Sequence, residues 1–421
     1  MIAKATGVGA ESKAQFNPLL PQYVQDPRPF VRRLREAEPV HWSEAVGVWV
    51  VTGYAEVMAA LQDEGLSAAV AHWDRYQQFF VRGGEADELA DTYSKWMLQL
   101  DPPAHTRLRA LVNKAFTPRA VAAMAPLIGR VAEELLDRVG AAGRMDVVGD
   151  LAYPLPIVVI AEMLGVPRED HGRIKEWSAA LLPSFTPGMS LRVAREVAGA
   201  LREFGAYFRR LAALKRANPG GDLLSALIAA RDNADSLSDD ELVATAILLA
   251  FAGHASTVQV LAGAILLVIE NSPARALLGE GPRLATPAVE EILRYVCPAQ
   301  FMYRAAKQDT VLGGKRIPKG QMVFLSIVGA NFDPVQFRDP DRFDPARSPN
   351  RHLAFGYGIH YCAGAPLARL EAQVVIPIVL RRLKNLELAG PVRREPSMLF
   401  RGISSMPVTF SPVAGGAGGH G

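Results

Sequence analysis

The chain has 421 residues, 49% of them hydrophobic and 21% charged, the proportions of a globular protein with a core large enough to enclose a bulky cofactor. A net charge of +3 is too mild to argue for a nucleic-acid partner. The two cysteines, Cys297 and Cys362, are far apart and form no CxxC, which excludes a disulfide framework or a cysteine-rich zinc site and indicates a reducing compartment.

Along the chain, MIAKATGVGAESKAQF holds no apolar stretch, so residues 1–17 read as a flexible N-terminus without a secretory leader, and the expected location is the cytoplasm. Short strand-like runs follow at VHW (40–42) and GVWVVTG (47–53), then a helix at YAEVMAALQD (54–63). From about 105 to 295 apolar residues recur at helical spacing, as in AHTRLRALVNKAF, AVAAMAPLIGRVAEELLDRV and SLRVAREVAGALREFGAYFRRLAALKRA. Residues 242–269 are apolar enough to suggest a membrane span, but His254, Ser256, Thr257 and Gln259 interrupt the middle and neither flank carries a Lys/Arg cluster. A buried central helix is the better reading. Residues 301–327 are strand-rich, with a turn at LGGKRIPKG, and 331–350 are Pro/Asp-rich and irregular. A last helix spans about 365–384, with Pro377 expected to kink it, and the Gly-rich residues 413–421 read as a flexible tail. The pattern predicts a single domain over 18–412, mostly α with a minor segregated β-sheet.

No P-loop, HExxH, strand-led GxGxxG or GxSxG motif occurs, so ATP, zinc-protease, dinucleotide and serine-hydrolase chemistries lack support. FGYGIHYCAGAPLARLE (355–371) is the informative stretch. A cysteine that binds iron must be ionised, shielded from water and hydrogen-bonded at sulfur. Gly356, Gly358 and Gly364 allow tight bends and close approach to a flat ligand, and a helix starting near Ala365 turns its positive end toward Cys362. A lone cysteine is more often inert and buried, but three glycines, Phe355 and His360 at these offsets make coincidence improbable.

This stretch resembles the haem-binding loop of the cytochrome P450 superfamily, and the resemblance extends over roughly residues 20–410. It implies the cytochrome P450 fold, with haem b (iron protoporphyrin IX) between the long central helix and the cysteine loop, and Cys362 as the iron ligand. It implies a structural triad of Glu291, Arg294 and Arg342, the first two in EEILR and the third in PDRF. His105 and Arg109 (from AHTRLR), Arg304 and His360 become the donors to the haem propionates. AGHAST (252–257) matches the segment where Ala252 and Gly253 open a groove for dioxygen and Ser256, followed by Thr257, supplies the alcohol. Two positions depart from the family pattern. Ala255 stands where an acid normally relays protons, which leaves His254, ordered water or a substrate group to replace it. Phe332 stands where bacterial relatives commonly have arginine, and reads as a local packing change.

With no flavin or nicotinamide motif in the chain, electrons are expected from a ferredoxin or similar partner. Lys114, Arg119, Arg347, Arg351 and Arg369 are candidates for its docking face, although a basic rim is usually just solvated. By the resemblance, Trp73, Phe79, Phe80, Phe185, Phe301, Met302 and Ile403 lie in segments flanking an apolar substrate pocket. Arg192, Arg195, Arg202, Arg209, Arg210 and Arg216 on one helix could favour an acidic or carrier-bound substrate. The expectation is a soluble, monomeric, bacterial-type monooxygenase acting on a medium-sized apolar metabolite. The alternatives are a peroxide-driven or non-inserting oxidase (coupling or desaturation), suggested by Ala255, and a haem-binding sensor.

Overall fold

The computed structural model describes residues 16–18, 20–69, 85–185, 190–231, 235–278, 286–394, 400 and 402–412. The expected flexible N-terminus falls outside these residues apart from its last two, and the tail, Trp73, Phe79, Phe80 and the side chain of Phe185 fall outside them entirely.

The helices that build the site are α1 (Arg28–Ala37), α2 (Ala104–Ala115), α3 (Ala125–Gly140), α4 (Pro154–Met163), α5 (Leu191–Ala217), α6 (Asp239–Glu270), α7 (Thr286–Val296) and α8 (Ala365–Arg382). Helix α6 is the spine. Its start is fixed by a capping box in which the Ser238 hydroxyl accepts from Glu241 N–H and the Glu241 carboxylate accepts from Ser238 N–H. Asp239, Asp240 and Glu241 complement the positive end of its dipole. By length and composition α6 could cross a membrane, with a mean hydropathy of 1.7, but 67% of that window is buried inside the protein. Its apolar residues instead serve packing against α4, α5, α7 and α8, as expected for a helix hydrophobic on nearly every side.

A five-stranded sheet stands to one side. It contains β1 (Val40–Ser43), β2 (Val48–Val51), β3 (Leu66–Ser67), β4 (Phe301–Ala306) and β5 (Met322–Ser326), in the order β1-β2-β5-β4-β3. β1 and β2 form an antiparallel hairpin, Val40 opposite Val51, whose turn uses Gly47 at φ 68. β2 pairs with β5 in parallel, Trp49 opposite Val323, and β5 pairs antiparallel with β4, Phe301 opposite Ser326. This register carries Phe301, Met302, Tyr303 and Arg304 to the central cavity.

The periodicity did not foresee the short strand Arg144–Asp146, which pairs with Pro407–Thr409. Pro377 lies inside α8 without ending it.

Candidate active site

The cysteine loop leaves the irregular 331–350 segment and enters α8. Gly356 and Gly358 adopt φ of 70° and 73°, conformations in which a side chain is strained. A Cβ on Gly356 would lie 2.8 Å from Met302 Cε, and one on Gly358 3.1 Å from the Leu61 carbonyl. Gly364 differs. Its φ is −80°, and its value is space, because a Cβ there would sit 3.8 Å from Cys362 Sγ. The loop closes on itself where Cys362 N–H donates to Phe355 O at 3.0 Å.

Cys362 is exposed, but to the interior of a cavity rather than to bulk water. Enclosure by protein pushes its thiol up. The N–H groups of Gly364 and Ala365, at the start of α8, and the charges of Arg109 and Arg369 pull it down only in part. A metal ion held at this sulfur would displace the proton, and the same amides would then stabilise the sulfur's charge.

The cavity, about 1730 Å³ including its mouth, lies between the cysteine loop with α8 on one side and α6 on the other. From α6 it receives Leu248, Leu249, Phe251, Ala252, Gly253, Ser256, Thr257 and Val260, the face expected from helical spacing. Gly253 keeps room against α4, since a Cβ there would meet Ile160 Cγ1 at 2.9 Å.

His254 and Ala255 fall on the other side of α6, and here one expectation fails. The His254 ring is 1% exposed and packs edge-on against Tyr153, with centroids 5.0 Å apart. Burial holds it down to about 4, so it stays neutral. It is a core residue and not a proton carrier for the cavity.

At the cavity edge, His105 and Arg109 from α2, Arg304 from β4 and His360 from the loop converge. The His105 and His360 rings stand 4.2 Å apart. Among the described residues, neither ring nitrogen of buried His105 has a hydrogen-bond partner. Burial, then the neighbouring cations, hold His360 down to about 3, and burial takes Arg304 down to about 10. A cluster of donors that depress one another is incomplete without an anion. Together with an accessible sulfur facing a slot under α6, it fits a flat, carboxylate-bearing iron macrocycle.

Glu291 and Arg294 form a fully buried pair, with Arg294 Nε 2.7 Å from Glu291 Oε2. The arginine that completes the triad is Arg347 and not Arg342. Arg347 Nε lies 3.1 and 3.0 Å from the two Glu291 oxygens, whereas Arg342 contributes only its carbonyl, which accepts from both arginines. Asn350 and the Asp344 N–H also donate to Glu291. Arg294 donates to Asn331 O, and the Asn331 side chain accepts from Leu353 N–H, so the network reaches the cysteine loop. Phe332 packs under the Arg294 guanidinium at 5.1 Å.

Committed to Glu291, Arg347 is no docking charge. Arg369 is likewise engaged, with Glu290 at 2.6 Å and over the Phe355 ring. Lys114, Arg119 and Arg351 remain exposed. Of the described pocket candidates, Phe301 and Met302 line the cavity. Ile403 does not, because it is buried with its N–H donated to Gln259. Glu371, one turn along α8 from Leu367, also lines the cavity, although sequence reasoning gave it no role.

The fold and this site define a haem-thiolate oxidoreductase. The Cytochrome P450 family model matches residues 283–410. The chain is 35% identical to the polyketide biosynthesis cytochrome P450 PksS of Bacillus subtilis (strain 168), over 95% of this chain and 99% of that protein. It is 39% identical to 6-deoxyerythronolide B hydroxylase of Saccharopolyspora erythraea, over 89% and 94%. A solved structure of P450BioI in complex with a hexadec-9Z-enoic acid-ligated acyl carrier protein superposes with TM-score 0.84 at 35% identity, covering 92% of this chain and 99% of that one. The chain belongs to the cytochrome P450 family, of bacterial type, and its cofactor is haem b.

Proposed function

We propose that the chain is a monooxygenase that inserts one oxygen atom, by hydroxylation or epoxidation, into a medium-sized apolar secondary metabolite. Electrons come from a ferredoxin and its reductase. The observation that carries this reading is the Cys362 sulfur opening into a cavity beneath Ala252, Gly253 and Ser256.

In this reading Cys362 ligates the iron, and His105, Arg109, Arg304 and His360 hold the propionates. When bound, the haem supplies dioxygen activation. The protein's part is positional and electrostatic. Gly364 and Ala365 N–H groups steady the thiolate, Gly253 keeps the groove open, and the Ser256 hydroxyl faces the cavity to donate a hydrogen bond there. Leu248, Leu249, Phe301 and Met302 exclude water and favour an apolar guest. Residues 18–412 act as one monomeric unit in the cytoplasm, and a ferredoxin docks on the cysteine-loop face through Lys114, Arg119 and Arg351.

Two observations favour variants of this reading. Ala255 at the acid position favours a peroxide-driven or non-inserting oxidation. The relative solved on an acyl carrier protein, together with the exposed arginines of α5, favours a substrate delivered by a carrier. The test is spectral and kinetic. The reduced, CO-bound protein should show the red-shifted Soret band of thiolate ligation, lost in Cys362→Ala. A histidine-type band in the unaltered protein would overturn the assignment. Ferredoxin with reductase should support turnover of ligands selected by spectral shift far better than peroxide does, and the reverse result would move the assignment to the peroxide-driven alternative.

A further inference from the structure

Besides Cys362, two sulfur atoms border the cavity among the described residues, the thioethers of Met97 and Met302. The other lining groups are carbon, hydroxyl, carboxyl and nitrogen, none of which takes up an oxygen atom as readily as a thioether. A methionine at a cavity wall is ordinarily an adaptable filler of apolar space. Two features set Met302 apart. The pairing of β4 with β5, Met302 opposite Leu325, fixes its backbone two residues before Arg304, at the edge where the propionate donors converge. Its side chain then reaches the cysteine loop. A Cβ on Gly356 would lie 2.8 Å from Met302 Cε and 3.1 Å from its Sδ, so the thioether fills the space that a side chain there would take. Met302 is half-buried, whereas Met97 is 8% exposed and Met145, Met163, Met322 and Met406 are buried away from the cavity. Met58 and Met124 are half-buried but lie outside the cavity.

We infer that Met302 is an oxidative modification site of this enzyme: peroxide in the cavity converts its thioether to the sulfoxide, and this change limits how long the ligand-binding wall stays intact. The inference rests on Cys362 holding the haem iron in this cavity. The oxidant is hydrogen peroxide, formed when electrons reach dioxygen without reaching substrate, or added from solution. In the step the peroxide O–O bond breaks, one oxygen atom bonds to Met302 Sδ, and the other leaves as water carrying both peroxide protons. A sulfur lone pair supplies the two electrons that the peroxide takes up, so no further reductant is needed. The product is larger and polar where the thioether was apolar. The Gly356 N–H beside it already donates to Leu353 O at 2.8 Å, so the new oxygen finds no donor there. The side chain must then leave its place against the loop, and the wall next to Phe301 moves with it.

The test is peptide mass spectrometry of the intact holoprotein after exposure to dilute hydrogen peroxide, with and without saturating imidazole to occupy the iron. Without imidazole, Met302 should gain one oxygen atom several-fold faster than Met58 and Met124, and ahead of Met97. With imidazole that excess should vanish, while Met58 and Met124 are oxidised as before. Oxidation of Met302 no faster than that of Met58 and Met124, modification of Met97 ahead of it, or an excess that persists under imidazole overturns the inference. The consequence for the wall is read with 4-phenylimidazole, a nitrogen donor whose phenyl ring extends from the iron into the cavity. After peroxide is removed, its affinity should fall in step with the Met302 sulfoxide. Met302→Leu, a swap that nearly conserves volume, is compared with its own untreated sample and should keep its affinity. An equal loss in both proteins would refute the consequence. The thiolate-type CO band separates this inference from the enzyme assignment. Present in the untreated protein, it leaves that assignment standing whatever happens at Met302, and its absence there overturns both.

Discussion

Replacing Glu291 with glutamine isolates the network that fixes the cysteine loop. The carboxylate is fully buried and accepts from Arg294 at 2.7 and 2.8 Å, from Arg347 at 3.1 and 3.0 Å, from Asn350 at 3.1 Å and from the Asp344 N–H at 2.9 Å. Glutamine keeps the shape but removes the charge, and it turns an NH₂ toward neighbours that are themselves donors. Two guanidinium groups then share a buried site with no counter-charge. Removing one partner of a buried ion pair costs about 3–5 kcal/mol, a large part of the roughly 5–15 kcal/mol by which a folded protein exceeds its unfolded state. The loss should appear first at the site, because Asp344 and Asn350 lie in the segment leading to Cys362, and Arg294 reaches Asn331, which holds Leu353 N–H at 2.7 Å. The assay is the ratio of thiolate-type CO absorbance to total protein, with the urea midpoint of the apoprotein alongside. The expected outcome is a lower midpoint and little retained haem. Glu291→Gln protein with full haem content and an unchanged midpoint would refute the view that this carboxylate anchors the loop. Arg347→Met should reproduce much of the effect, whereas Arg342→Met, which removes no side-chain bond to Glu291, should not.

Three further outcomes follow from single contacts. Gly356→Ala should cost about 1–3 kcal/mol for a left-handed backbone carrying a side chain, and it should drive Met302 Cε, 2.8 Å away, from its place at the cavity wall, so melting temperature and ligand-induced spectral shifts should both change. At Glu290, burial alone would raise the carboxyl, but hydrogen bonds from Arg369 and His352 outweigh it and hold the group down to about 2, from an ordinary 4.5. Its contribution is therefore complete above pH 4.5 and lost as pH falls toward 2. Glu290→Gln should flatten the acid limb of the urea-midpoint profile, and an unaltered limb would count against the pairing. Ala255→Glu places an unpartnered carboxyl on the buried side of α6, away from the cavity, at a cost of at least about 1–3 kcal/mol. It should lower the melting temperature without raising the share of electrons that reach product, and improved coupling would show that Ala255 limits proton supply.

The sequence is most legible where chemistry demands a fixed local geometry, and least where two distant segments must meet. Cys362 with Gly356, Gly358 and His360 could be read because one short loop must bend, present a sulfur and start a helix, all within ten positions. The central helix was legible because polar His254, Ser256, Thr257 and Gln259 argue against lipid. Periodicity could have gone further there. Ala252, Gly253, Ser256 and Thr257 share a face at helical spacing, and His254 and Ala255 lie off it, which is where the structure puts them. The choice between Arg342 and Arg347 was closed to such reasoning. Both lie in the irregular segment after β5, and which one reaches Glu291 depends on how that segment wraps around α7. Glu371 was hidden for a related reason. An acid three residues beyond Ala368 and four beyond Leu367 is on the buried face of α8, a signal that something pays for its burial, but its neighbour Thr257 belongs to another helix more than a hundred residues earlier. Spacing along one helix shows which way a residue faces, while what stands opposite it is set by the packing of another helix. The proximal side of this site is thus written in one contiguous loop, while the cavity facing it has to be read from the packing of α6 against α8.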